Sequence, residues 1–161
     1  MEGRNTGATF RIEDAFRVEK SDEMLLISIQ PQFCELIRQG KKTVELRKRV
    51  PKHACKFAIV YESFPTKSAS FLIKIKKIES APTPVIWERY RTRCAVSKEF
   101  FESYYQGSKQ SVAILIDRII PLRQAIPREI LAIHDLTPPQ DYRYASKEIL
   151  ASIIQTASRT R

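Results

Sequence analysis

The sequence predicts an α+β fold, a small β-barrel of five to six mostly antiparallel strands with helices at its rim. Three observations carry that expectation. Apolar runs of strand length recur along the chain, helical stripes fall between some of them, and the two do not alternate regularly, which disfavours a doubly wound parallel sheet. At 161 residues the chain makes one domain by size, long enough to bury a core without metal or disulfide staples.

Residues 1 to 24 show neither helical nor strand periodicity and are expected to form a flexible N-terminal extension. Leu25-Leu26-Ile27-Ser28-Ile29 then reads as a buried strand that stops at Gln30-Pro31. Proline suits the first turn of a helix, Phe33, Leu36 and Ile37 follow at helical spacing, and Gly40 supplies the left-handed residue that ends it. In the next stretch, Lys41 to Arg49, side chains alternate between two faces. Val44 and Leu46 face a core, whereas Thr43, Glu45, Arg47 and Arg49 share the opposite face.

Past a break at Pro51 to Ala54, Lys56 to Tyr61 is a third strand, followed by a polar loop from Glu62 to Lys67. The next strand, about Ala69 to Ile78, alternates Phe71, Ile73 and Ile75 with Leu72, Lys74 and Lys76, giving one buried and one wet, cationic face. Pro82 and Pro84 open a helical section to Arg93. Ser97 caps a helix from Lys98 to Gln106 with Phe100, Phe101 and Tyr104 on one side, and Gly107 stops it. Val112 to Ile116 is a central strand, Pro127 starts a short helix, and Pro138 to Tyr144 is extended and aromatic. Ser146 caps a last helix whose Ile149, Leu150, Ile153 and Ile154 form an apolar stripe. The expected organisation is therefore an extension over 1–24, a domain over 25–145, and a C-terminal helix and tail over 146–161.

Charge is the strongest functional signal. The chain carries a net +10, but residues 1 to 24 hold six acids against four bases. Residues 38 to 56 hold eight bases and the single acid Glu45. Such a surface concentrates polyanions and speeds encounter with phosphate backbones, so RNA or single-stranded nucleic acid is the expected partner. A solvated face that keeps the protein soluble is the competing reading.

Other chemistries find little support. Cys34, Cys55 and Cys94 are odd in number with no C-x-x-C pair, and His53 and His134 lie far apart, so reduced thiols are expected and neither metal nor cofactor. With four glycines, no phosphate-cradling loop exists. No run reaches the roughly 18 apolar residues of a membrane span, and the first 24 residues lack the apolar core of a secretory signal. No membrane association and a cytoplasmic location are expected.

The constellation that remains is Lys42, Thr43, Glu45 and Arg47 with the polar loop at Ser63 and the tyrosines near Tyr142. A lysine desolvated beside an arginine gives up its proton more readily and can act as base or nucleophile. Equally, Glu45 and Arg47 can pair and hold a cleft open. Trp87, Tyr90, Tyr142 and Tyr144 offer planar faces on which unstacked bases stack, although an aromatic on an amphipathic helix is also a core residue.

These residues carry a family resemblance. Leu26-Ile27-Ser28-Ile29-Gln30-Pro31 followed by Gly40-Lys41-Lys42-Thr43-Val44-Glu45-Leu46-Arg47 resembles the opening of an ASCH domain, whose signature is G-x-K-x-x-E-x-R. Trp87-Glu88-Arg89-Tyr90, the Ser97 helix, Ile126-Pro127 and Pro138 to Tyr144 follow in the order of that family. The resemblance implies a PUA-like barrel with a cleft beside Gly40, Lys42, Glu45 and Arg47, and an RNA-binding or nucleic-acid-associated role. Some relatives hydrolyse N4-acetylcytidine through a lysine at the position of Lys42, and others are ribonucleases. The deacetylating relatives have threonine where Glu45 stands, a lysine common after the first strand is Gln30, and a Gly-Asp turn is replaced at His53-Ala54-Cys55-Lys56.

The expected function is an RNA-binding module that recognises RNA or a modified nucleotide in a basic cleft. Phosphates would be held by Lys41, Lys42, Arg47, Lys48, Arg49 and Arg143, with Thr43, Glu45 and Ser63 as polar contacts and Tyr142 or Trp87 stacking a base. The alternative is a small hydrolase on nucleic acid or nucleoside, an amidohydrolase or ribonuclease, with Lys42 and Glu45 catalytic. A transcriptional accessory domain working through protein contacts is a third reading.

Overall fold

A computed structural model describes residues 10–159. The elements run α1 (Ile12–Val18), β1 (Glu23–Ile29), α2 (Pro31–Arg38), β2 (Val44–Arg47), β3 (Phe57–Glu62), β4 (Ser68–Pro82), α3 (Thr83–Tyr90), α4 (Lys98–Tyr104), β5 (Gln110–Pro127), α5 (Arg128–Ile133), β6 (Tyr142–Ser146) and α6 (Lys147–Arg159). The six strands form one mixed sheet in the order β2-β5-β4-β3-β1-β6. Only β1 and β3 pair in parallel, Leu25 opposite Ala58, because α2 and β2 make the crossover between them.

The expected α+β class with mostly antiparallel strands holds, but the sheet does not close into a hydrogen-bonded barrel. β2 and β6 remain edges. The long β4–β5 ribbon carries register shifts at Ala69/Phe71, Lys74/Ile75 and Ile75/Lys77, and bulges of this kind bend a strand and increase its twist. Where a last ladder would lie, side chains reach across: Arg47 at the end of β2 donates to the Ser28 carbonyl of β1 and pairs with Asp141 just ahead of β6.

Alternation sorts the strands between separate cores. Met24 and Leu26 of β1, with Phe57 and Ile59 of β3, join a cluster covered by Ile12 and Ala15 of α1 and Leu150 and Ile153 of α6. Leu25, Ile27 and Ile29 face the other way, against Cys34 and Ile37 of α2 and Ile114 and Ile116 of β5. Val44 and Leu46 pack under α3 and α4 with Ile86, Tyr90, Phe101 and Tyr105. Glu45 lies directly opposite Ile114 in the ladder, and cross-strand partners share a face, so Glu45 and then Arg47 project from the face that encloses the α2 core. This is why two charged residues of an edge strand are buried.

Local signals account for most boundaries. Pro31 occupies the first turn of α2, and Gly40, at φ +72°, reverses the chain while the Lys41 and Lys42 amides donate to the Leu36 carbonyl. Ser97 Oγ accepts from the Phe100 amide at the start of α4, and Ser146 Oγ from the Ile149 amide at the start of α6.

Within residues 1–24 the structure differs from a featureless extension. Residues 1–9 lie outside the described residues, but α1 is helical, with the Arg11 amide donating to Asp14 and Ile12 and Ala15 in the core. Glu19 fastens it: the buried carboxylate accepts from the Ser21, Lys56 and Phe57 amides, and the Glu19 carbonyl accepts from Lys147 Nζ. Among the described residues no helix is long and apolar enough to cross a membrane.

Candidate functional site

An open cleft of about 980 Å³ runs along the unclosed seam of the sheet. One wall is β2 and its continuation, Glu45 to Arg49; the facing wall is Ser28 and Ile29 of β1 with Pro139 to Tyr142; helices α2 and α4 contribute Phe33, Phe100 and Tyr104. Ser63 joins from the loop after β3, its amide donating to the Ile29 carbonyl.

A chain of charges lies along the inner wall. Lys42 Nζ donates to the Cys94 carbonyl at 2.6 Å and stands 3.4 Å from Glu45 Oε2. Arg47 Nη2 is 3.1 Å from Glu45 Oε1 and donates to the Ser28 carbonyl at 2.7 Å. Arg47 Nη1 donates to Asp141 Oδ1 at 3.1 Å, and Arg49 reaches Asp141 Oδ2 at 3.4 Å. The order is thus Lys42, Glu45, Arg47, Asp141, with each cation next to a carboxylate. The expectation of Lys42 desolvated beside an arginine changes here, because Glu45 stands between the two cations.

Aromatic rings line the cleft nearer its mouth. Phe33 meets Phe100 edge-on with centroids 5.5 Å apart, and Phe100 stacks in parallel with Tyr104 at 6.3 Å. Lys42 Nζ lies 5.2 Å from the centre of the Phe33 ring, Lys48 Nζ 5.0 Å from that of Tyr104, and the Arg49 guanidinium 5.5 Å from that of Tyr142. Burial raises the Tyr104 phenol above its ordinary range, and burial with the neighbouring Asp141 charge raises that of Tyr142. Both stay neutral at physiological pH. Burial likewise pushes the Cys34 thiol up to about 12, which removes it as a nucleophile. No group of three metal-ligating side chains occurs among the described residues.

The sequence-predicted residues divide. Lys42, Glu45, Arg47, Lys48, Arg49, Ser63 and Tyr142 line the cleft together. Lys41, Thr43, Trp87 and Arg143 do not. Thr43 precedes β2, and its hydroxyl accepts from Arg93 Nε while its amide donates to the Arg93 carbonyl, turning it toward the end of α3. Lys41 is exposed beyond the end of α2. Trp87 packs on Phe101, ring centres 4.9 Å apart, against the core under α3 and α4. Arg143 alternates away from Tyr142 on edge strand β6 and bonds the Tyr144 carbonyl. Tyr144, offered as a stacking face, instead holds the β2–β3 loop, accepting from the His53 amide and donating to the His53 carbonyl.

Sequence reasoning missed Phe33, Phe100 and Asp141 as cleft residues. Phe100 and Tyr104 fall four apart on α4, one position round from buried Phe101, and that spacing marks a second face of the helix. For Asp141 the only sequence signal is the proline-bounded segment in which it lies.

Residues 27–120 match the family model of the ASCH domain. An ASCH domain-containing ribonuclease of Zymomonas mobilis subsp. mobilis is 28% identical over 136 residues, which is 83% of this chain and 92% of the relative. A crystal structure of ASCH from Zymomonas mobilis superposes with a TM-score of 0.75 at 27% identity, covering 84% of this chain and 96% of that one. Large ribosomal subunit protein uL22 of Ureaplasma parvum serovar 3 is 22% identical over 127 residues, 78% of this chain but 40% of its own length.

Proposed function

Because the chain belongs to the ASCH domain family, we propose that it is an RNA-binding module of the ribonuclease-related type, taking RNA or a modified nucleotide into the cleft beside Lys42, Glu45 and Arg47. The observation that carries this reading is the composition of one cleft. Cations for phosphates, aromatic faces for unstacked bases and a polar inner wall converge there, and single-stranded RNA is recognised by that combination. A cytoplasmic setting, in which the free Cys34, Cys55 and Cys94 stay reduced, accompanies it.

A ribonuclease reading has one specific support, the similarity to the ASCH domain-containing ribonuclease of Zymomonas mobilis, whose length this chain nearly spans. Lys42, beside Glu45 on the inner wall, is the group we assign to that chemistry.

One experiment separates binding from turnover. Affinity for a labelled single-stranded RNA, measured from about 50 to 200 mM salt, should give a linear log-log plot falling by about 0.7 per phosphate neutralised. A flat plot, or no binding at the lowest salt, contradicts the proposal. The same RNA run on a gel after incubation reads cleavage: product lost in Lys42→Ala makes the protein an enzyme, and intact RNA leaves it a binder.

A further inference from the structure

The charges of the cleft fall into an inner set that cancels and an outer pair that does not. Lys42 and Arg47 are matched by Glu45 and Asp141, each in contact with its neighbour. Lys48 and Arg49 stand at the mouth, exposed, the Arg49 side chain 70% so. A phosphate carried to the inner set would meet two carboxylates as well as two cations and would forfeit its hydration for no net attraction. At the mouth it meets cations that water still screens and that can swing to it. A neutral polar group is what the inner set suits.

Two side chains of that set, Glu45 and Arg47, make the requirement specific. Glu45 Oε2 and Arg47 Nε are buried without a hydrogen-bond partner among the described residues; Oε2 has Lys42 Nζ near it at 3.4 Å but no hydrogen bond from it. The two side chains are 10% and 8% exposed. One atom is an acceptor only and the other a donor only. Neither atom is reached by solvent, so a ligand meets the parts of Glu45 and Arg47 that line the cleft, again an acceptor beside donors, and a neutral group offering an N–H next to an acceptor suits both. Phe33 and Phe100 supply the flat surface beside them, and Phe100 is 41% exposed.

We propose that the cleft takes one unpaired base with its Watson–Crick edge inward. The Glu45 carboxylate accepts from a base N–H, the Arg47 guanidinium donates to the adjacent ring nitrogen or carbonyl, the ring lies against Phe33 and Phe100, and the flanking phosphates stay outside on Lys48 and Arg49. This rests on the RNA-binding reading of the same cleft and adds its orientation. A base in a duplex, whose edge is already paired, is excluded.

The test is a panel of single-stranded oligonucleotides in which one base type at a time carries a neutral block on its Watson–Crick edge: N4,N4-dimethylcytidine, N6,N6-dimethyladenosine, 3-methyluridine or 1-methylguanosine. Stacking surface and phosphates remain. At least one block should weaken binding about tenfold or more. Glu45→Gln, checked for an unchanged melting transition, should weaken the unblocked oligonucleotide and leave the blocked one as it was, whereas Lys48→Ala/Arg49→Ala should weaken both alike. Equal affinity across the panel overturns the inference while sparing the RNA-binding reading, and so does a Glu45→Gln loss of the same size on blocked and unblocked strands. Failure of every oligonucleotide to bind overturns both. Should Glu45→Gln not fold, the panel on the unaltered protein decides alone.

Discussion

Arg47→Ala should lower the free energy of unfolding by about 3–5 kcal/mol, the cost of taking one partner from a buried ion pair. The guanidinium satisfies Glu45, Asp141 and the Ser28 carbonyl at once. Its loss leaves the Glu45 carboxylate buried with Lys42 alone and removes the side-chain link between β2 and the β1–β6 side of the seam. Chemical denaturation followed by circular dichroism measures it. Arg49→Ala, which removes an exposed pair with the same Asp141, should cost under about 1 kcal/mol. Replacing Glu45 and Arg47 together by methionine should not restore the loss, since Lys42, buried beside Glu45, is then left without its carboxylate. An Arg47→Ala effect no larger than that of Arg49→Ala would mean that the seam is not held by this network.

Phe57→Ala should cost a comparable amount, about 3–5 kcal/mol. The ring is fully buried at the start of β3, stacks on Phe10 with centroids 6.1 Å apart, and shares its core with Ile12 and Ala15 of α1 and Leu150 and Ile153 of α6. β3 is hydrogen-bonded on both sides, by β1 and β4, so the backbone cannot close the cavity. Urea denaturation at unchanged m measures it, with Phe64→Ala, at a side chain 75% exposed, expected within about 0.5 kcal/mol of the parent. A Phe57→Ala loss below about 1 kcal/mol would show that α1 and α6 are not one core with the sheet.

Elements set by local chemistry are legible in the sequence. Pro31 and Gly40 bracket α2, Ser97 and Gly107 bracket α4, and alternation at Val44 and Leu46 correctly assigns the inner and outer faces of β2. What escapes is set at long range. The Ile12, Ala15 and Phe16 stripe of α1 is short and interrupted by Glu13, Asp14 and Arg17, and it is held by Glu19 meeting backbone amides 37 and 38 residues away. The open seam depends on which strands pair, β2 with β5 and β6 with β1, and no local stretch of sequence specifies that.

The site divides along the same line. Its cationic wall is contiguous in sequence and visible there, whereas Asp141, 94 residues from Arg47, and the Phe33–Phe100 pair meet only in the folded chain. Their arrival changes the chemistry of the wall. Lys42 and Arg47, each beside a carboxylate, form the ion-paired interior of a cleft whose exposed cations, Lys48 and Arg49, stand at its mouth.

A crystal structure of the protein with a short single-stranded RNA tests that division most directly. It should show a base within hydrogen-bond distance of Glu45 and Arg47, its ring beside Phe33 and Phe100, and phosphates on Lys48 and Arg49. A phosphate seated between Lys42 and Arg47, with the bases directed to solvent, would contradict it.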